Sequence, residues 1–247
     1  MSAPETPPTP RDETAGDVFS GENRARLELD AKDVIARYPK PRSALLPLLH
    51  LVQSEEGFVS TAGIAFCAEQ LGITTAEVTA VATFYTMYKR RPVGDYHVGV
   101  CTNPLCAVMG GDEIFAGLKE HLDVGNDETT ADGKITLEHL ECNAACDFAP
   151  VVMVNWEFFD DQTPESAKKL VDDLRLGKDV KPTRGPNSLC TWKQASRVLA
   201  GFDDGRAAEG PQAGAPSLAG LEVARERGWR APEPAAAPAP ADEEDAE

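Results

Sequence analysis

Apolar residues recur at helical spacing through the first third of the chain, after a polar start. Residues 1–25 are rich in Pro, Thr, Glu and Asp and carry too little apolar surface to bury a core, so they predict a disordered N-terminal tail. The segment DAKDVIARY sets Val34, Ile35 and Tyr38 on one face and then meets Pro39 and Pro41, which cannot continue a helix. RSALLPLLHLVQSEEGF follows, with Gly57 as its stop. Ser60 is an N-cap for a third helix that runs through Leu71 and ends at Gly72. Thr74 with Glu77 makes a capping box for a fourth, reaching about Tyr88. Four short, closely joined helices with apolar faces predict a small helical bundle over residues 26–92, and TFYTMY at its end reads as core packing.

Near Pro92 the period changes. DYHVGVCT reads as a strand of β-branched and aromatic residues. After the loop CTNPLC, DEIFAGLKEHL spaces Ile114, Leu118 and Leu122 four apart, as a helix does. Residues 125–133 are a polar turn region. KITLEHLEC then alternates, with Ile135, Leu137 and His139 facing one way and Thr136, Glu138 and Leu140 the other. After ECNAAC, VVMVN and EFFDD predict a hairpin around Asn155 and Trp156. Trp156 in that turn is either an interface anchor or simply exposed. Thr163 caps a last helix with Pro164 in its first turn and Ala167, Leu170, Val171 and Leu174 along one face. Strand, helix, strand, strand, strand, helix over residues 93–180 predicts a small mixed sheet covered by helices, of the α+β or α/β class. Residues 181–204 read as an extension whose LCTWKQASRVLAGF forms a short helix packed on the core. Residues 205–247 read as a low-complexity acidic tail holding a transient helix at LAGLEVARERGW.

Charge narrows the function classes. The 247 residues carry a net charge of −17 with no basic stripe, which argues against phosphate-mediated binding of nucleic acid. No apolar run approaches the ~20 residues needed to span a bilayer. The N-terminus lacks the basic and apolar regions of a secretory signal, so a soluble, intracellular protein is expected. In a reducing cytoplasm, grouped cysteines serve metal binding or redox work rather than structural disulfides.

Four of the six cysteines are grouped: Cys101 and Cys106 as C-x4-C and, after thirty-five residues, Cys142 and Cys146 as C-x3-C. Burial as small hydrophobes suits Cys67, which lies mid-helix, and Cys190. It suits the four poorly, because they sit in loops where the backbone turns and a thiol can project into shared space. Thioredoxin-type dithiol chemistry needs C-x-x-C, which does not occur. Tetrahedral zinc is compatible with the spacing. So is an iron–sulfur cluster, since thiolates are soft ligands and two pairs supply two thiolates to each iron of a [2Fe–2S] centre. Neither pair contains C-x-H, which argues against a Rieske centre, and His50, His97, His121 and His139 are scattered. Spacing alone leaves zinc and iron–sulfur both open.

The segments YPKPRSALLPLLHLVQSEEGFVS, VTAVATFYTMY, CTNPLC, ECNAACDFAPVVMVN and TPESA together resemble the family of the 24 kDa subunit of respiratory complex I, the E-type subunit of bacterial NADH-quinone oxidoreductase. The resemblance runs from about Tyr38 to Gly177. It implies a helical domain followed by a thioredoxin-like domain with one [2Fe–2S] cluster, ligated by Cys101, Cys106, Cys142 and Cys146. It also implies that NADH and FMN sit on a partner flavoprotein subunit within the complex. That suits a chain without a Gly-rich dinucleotide fingerprint, which would contribute electron transfer to an oxidoreductase without oxidising NADH alone. Amides near Ala107, Asn143 and Ala144 are candidate donors to the cluster sulfurs. The expected location is the cytoplasmic face of the inner membrane, as a peripheral part of the complex. Two alternatives stand beside this: the equivalent subunit of an NAD-linked formate dehydrogenase or hydrogenase, and a zinc-stabilised interaction module.

Overall fold

The computed structural model describes residues 19–232. Helix α1 (Gly21–Ile35) starts well before Asp30, inside the expected tail, of which residues 1–18 lie outside the described range. Its polar start conceals a buried stripe of Leu27, Ala31 and Val34, a 4–3 spacing on one face. Ion pairs from Arg24 to Glu28 and Glu69, and from Arg26 to Glu55, decorate its solvent side. A 3-10 turn (Pro41–Ala44) leads into α2 (Leu45–Glu56), which Gly57 ends in a left-handed conformation (φ 83°). In α3 (Thr61–Leu71) the Ser60 hydroxyl accepts from the Gly63 amide at 3.0 Å, and α4 (Thr75–Phe84) has the Thr74–Glu77 capping box. These helices close on one apolar core.

Helix α4 stops at Phe84 rather than Tyr88, because Tyr85 turns extended. The TFYTMY segment is therefore not core as a block. Tyr88 folds inward and its hydroxyl donates to the Leu46 carbonyl at 2.9 Å, while Phe84 is 77% exposed and Tyr85 43%.

The sheet comprises β1 (Tyr96–Cys101), β2 (Glu128–Thr129), β3 (Ile135–Leu140), β4 (Val152–Val154) and β5 (Glu157–Phe159), in the order β2-β3-β1-β4-β5. Strands β1 and β3 are parallel; every other pairing is antiparallel. The two-residue β2, hidden in the polar turn region, is too short for any periodicity to reveal. Asn155 and Trp156 both have positive φ (49° and 73°), the geometry of a tight two-residue hairpin. Asn155 compensates the strain: its Oδ1 accepts from the His97 amide at 2.8 Å, and its Nδ2 donates to the Asp95 and Cys190 carbonyls.

Between β1 and β3 run α5 (Pro104–Val108), a short helix formed by the CTNPLC loop itself, and α6 (Gly111–Leu122); α7 (Pro164–Arg175) follows β5. Ile114, Leu118 and Leu122 of α6 and Ala167, Leu170, Val171 and Leu174 of α7 pack on Val98, Val100, Ile135, Leu137, Val152 and Val154. His139 is exposed and does not join Ile135 and Leu137 in that core.

The opposite face of the sheet is covered too. Helix α8 (Trp192–Leu199) lies along α2, and Trp192 is fully buried, its indole N–H donating to the Gly57 carbonyl at 2.7 Å and its amide to Asp95 at 2.7 Å. Gln53 meets Ser196 and Arg197 pairs with Asp30, so the extension joins the helical layer to the sheet. The expected tail from 205 has structure of its own. Arg206 donates to the Ser188 carbonyl, the Gly185 amide donates to Pro211, and the compact unit reaches Gln212. A second unit begins at residue 213 and holds α9 (Ala215–Glu226), where only a transient helix was expected; residues 233–247 lie outside the described range.

Candidate metal centre

The register of two parallel strands brings the cysteine pairs together. Cys101 ends β1 directly opposite Leu140, the last residue of β3, and Cys142 follows two residues later. The Cys101 amide donates to Val151 at 3.1 Å, and Asn103 Nδ2 donates to the Leu140 carbonyl (3.3 Å) and to Glu141 (3.0 Å), tying one cysteine loop to the other. Two glycines permit the close approach. A Cβ on Gly111 would lie 2.5 Å from the Cys101 carbonyl oxygen and 2.8 Å from that of Cys106; on Gly99 it would lie 2.1 Å from Leu140 Cδ1. The start of α6 therefore packs against the first cysteine loop only because position 111 has no side chain.

Cys101 and Cys106 are buried, in a small cluster with Leu140, Ala145, Ala149, Val151 and Met153, whereas Cys142 and Cys146 are exposed. The Cys142 and Cys146 sulfurs are 3.6 Å apart. Ala144 stands between them in a left-handed conformation (φ 54°), which aims its amide at Cys142 Sγ, 3.4 Å away. Of the expected donors, Ala144 is so placed. The Ala107 amide instead closes α5 onto the Asn103 carbonyl. Asn143 has a buried Nδ2 with no partner.

The thiols sense one another. Burial, and then the neighbouring Cys101 thiol, push Cys106 up to about 11, although the Val151 backbone amide opposes the shift. Cys146 is raised first by its bond to Cys142 and also by the charge of Cys101. Four sulfurs this close resist joint ionisation unless positive charge is placed among them. Among the described residues, no group of three or more His, Cys, Asp or Glu side chains is arranged to hold a single metal ion; the thiols stand as two pairs. Two thiol pairs, a backbone amide aimed at Cys142 Sγ and an orphaned buried amide N–H on Asn143 fit a sulfide-bridged binuclear cluster, whose sulfurs accept such bonds.

The remaining candidates lie elsewhere. Cys67 is buried in α3, its thiol pushed far up by burial, and Cys190 is half-buried beside Arg206. His50 packs against Tyr88, His121 bonds Asp172 at 2.7 Å, and His139 meets the Phe115 ring.

Two features near the strands escaped sequence reading. On the face away from α6 and α7, Glu138 takes an ion pair from Lys89 and a 2.6 Å hydrogen bond from His97 Nε2. Burial alone would raise the Glu138 carboxyl, but the His97 and Lys89 bonds outweigh it and hold it at about 2; burial keeps His97 below its ordinary range, hence neutral. Trp156 and Trp192 flank that imidazole at 5.3 and 5.2 Å, so Trp156 is an internal packing residue. Arg184 lies 4.0 Å over the Phe158 ring and 5.4 Å over Phe148, while pairing with Asp160. It thereby braces the loop that carries Cys142 and Cys146. No local pattern marks either arrangement, since the paired charges lie 24 to 49 residues apart in sequence.

The profile of the thioredoxin-like [2Fe–2S] ferredoxins matches residues 31–175. The E-type subunit of NADH-quinone oxidoreductase from Mycobacterium tuberculosis is 66% identical over 209 residues, 84% of this chain and 82% of that one. Its counterpart in Rickettsia bellii, an NADH-quinone oxidoreductase subunit of the same type, is 40% identical over 148 residues, 59% of this chain and 89% of that one. A solved thioredoxin-like [2Fe–2S] ferredoxin from Aquifex aeolicus superposes with a TM-score of 0.30 at 24% identity, covering 36% of this chain and 87% of that one.

Proposed function

Because this chain belongs to the thioredoxin-like [2Fe–2S] ferredoxin family, and within it with the E-type subunits of NADH-quinone oxidoreductase, we propose that Cys101, Cys106, Cys142 and Cys146 ligate its [2Fe–2S] cluster, two thiolates to each iron. One observation carries the assignment: parallel pairing of β1 with β3 delivers both cysteine pairs to the same end of the sheet. When bound, the cluster supplies a one-electron store. The chain's own residues do the rest. Cys101 and Cys106 anchor the buried side, and Cys142 and Cys146 present the exposed side. The Ala144 amide and Asn143 Nδ2 supply hydrogen bonds that stabilise negative charge on sulfur and so raise the potential.

The chain works as an electron-transfer subunit of the NADH dehydrogenase part of the complex. Its electron donor, in this reading, is the FMN of a neighbouring flavoprotein subunit that binds NADH, docked near the exposed cysteine loop at the cytoplasmic face of the membrane. No helix among the described residues is long and apolar enough to cross a membrane. High identity to subunits named for NADH-quinone oxidoreductase, over most of their length, favours this over the formate dehydrogenase or hydrogenase alternative. The test is metal and sulfide analysis of anaerobically purified protein, with electron paramagnetic resonance of the reduced form. About two irons and two labile sulfides per chain are expected. Stoichiometric zinc without sulfide would instead establish the zinc-stabilised module.

A further inference from the structure

Helix α9 is twelve residues long, yet none of its residues is buried. Leu218 is 39% exposed, Leu221 47%, and Trp229, just past its end, 62%. A helix of this length is marginal in water without packing, and α9 also lacks a side-chain cap at its N-terminus. The larger compact unit of the chain ends at Gln212, before the helix begins. The helix nevertheless has a face to offer. Leu218 and Leu221 lie one turn apart on one side. Gly228 (φ 65°) then reverses the chain so that the Trp229 amide donates to the Ala224 carbonyl at 2.8 Å. Arg227 stacks 5.2 Å over the Trp229 ring, and neither it nor Arg225 or Arg230 has a carboxylate ion-pair partner among the described residues.

We infer that α9 is a docking element: Leu218, Leu221 and Trp229 seat in an apolar groove on another subunit of the complex, whose rim carries carboxylates that meet Arg225, Arg227 and Arg230. The inference rests on the subunit function proposed above. Helix-in-groove recognition uses such a stripe, and a Trp with neighbouring arginines is a common energetic anchor. A second copy of this chain is a poor occupant, since each carries a net charge of −17 and long-range repulsion opposes their approach.

The test compares three tagged forms expressed in cells that assemble the complex: the full chain, the double variant Leu218→Asp/Leu221→Asp, and a chain ending at Gln212. Each is scored for iron and sulfide content, thermal midpoint as isolated protein, and flavin with NADH-oxidising activity recovered per chain. Both altered forms should keep the cluster and the midpoint but recover flavin at least about ten-fold less at low chain concentration, the loss expected for removing an anchor. A synthetic peptide of residues 213–232 should be mostly unfolded alone by circular dichroism. Flavin recovery equal to the full chain's in both altered forms would overturn the docking role. So would a lowered midpoint of the shortened chain, which would put the helix on its own protein, or a full-length dimer that the double variant abolishes. If the full chain itself brings down no flavin, the subunit function fails, a result distinct from loss in the altered forms alone.

Discussion

Serine in place of Cys101, Cys106, Cys142 or Cys146 exchanges a soft thiolate for a hard, weakly acidic hydroxyl, so each such variant should lose the cluster or shift its resonance. Cys67→Ser and Cys190→Ser should leave the signal unchanged. Cys67 is closed inside α3, and Cys190 sits on the extension beside Arg206. Electron paramagnetic resonance of the six reduced variants checks this, and an unaltered Cys142→Ser spectrum would break the ligand assignment. Glu138 makes a pH-dependent contribution. Its folded carboxyl is held at about 2, below its unfolded value near 4.5, so the stability it gives is present above pH 4.5 and lost as pH falls toward 2. Buried, neutral His97 adds to this: unfolding lets it take a proton, so its contribution also declines as pH falls below its ordinary value near 6.5. Acid titration followed by circular dichroism should show Glu138→Gln less stable at pH 7, with a shallower further loss toward pH 3 than the parent chain.

Each cysteine loop depends on the element that begins or ends beside it. Gly111→Ala would drive a methyl group into the carbonyls of Cys101 and Cys106. The start of α6 must then shift away, and the cluster's resonance should change although all four thiols remain. Gly117→Ala makes a fair control. It lies on the same helix, and its added carbon would meet only the end of the flexible Lys168 side chain. Helix α8 is the brace on the other face of the sheet. Trp192→Ala should cost about 3–5 kcal/mol in denaturant unfolding, the range for emptying a large buried aromatic site. Trp229→Ala, at an exposed position, should leave the isolated chain's unfolding unchanged. Truncation after Gln212 should preserve fold and cluster. Truncation at 205 should be less benign, because it removes Arg206, which donates to the Ser188 carbonyl, and the Pro211 carbonyl that accepts from the Gly185 amide.

At the scale of the whole molecule, the isolated protein should not oxidise NADH. It has a site for one-electron storage and no sequence fingerprint for a dinucleotide. Mixed with the flavoprotein and NADH, its cluster should be reduced, as followed by bleaching of the visible absorbance. Rapid bleaching by NADH with the chain alone would overturn the division of labour between the subunits. Burial of the exposed Cys142–Cys146 loop at the contact would exclude water from the path. Ala144→Asp should therefore slow the reduction more than an added charge in the tail, since it places an anion beside Cys142 Sγ on the exposed loop proposed to hold the cluster and meet the flavoprotein.

Much of this architecture was legible in residue order because its causes are local. Ser60, Thr74, Thr163 and Gly57 cap or stop helices by interactions within one turn, so their roles could be read directly. The alternation around Ile135 and Leu137 and the spacing of Ile114, Leu118 and Leu122 reflect burial on one face, which is also a local property. The two cysteine pairs were visible as pairs, and family resemblance joined them into one set. Local signals could not show where long-range contacts override them. Tyr88 leaves the line of α4 to reach Leu46, and the polar start of α1 is helical because Leu27, Ala31 and Val34 find a core. Gly111 matters only because another loop's carbonyls lie above it, and Glu138 is held ionised only by Lys89 and His97, far away in sequence. Caps and periodicity are written within a few residues, whereas the burial of a charge and the meeting of two thiol pairs exist only once the β1–β3 register has brought distant segments together.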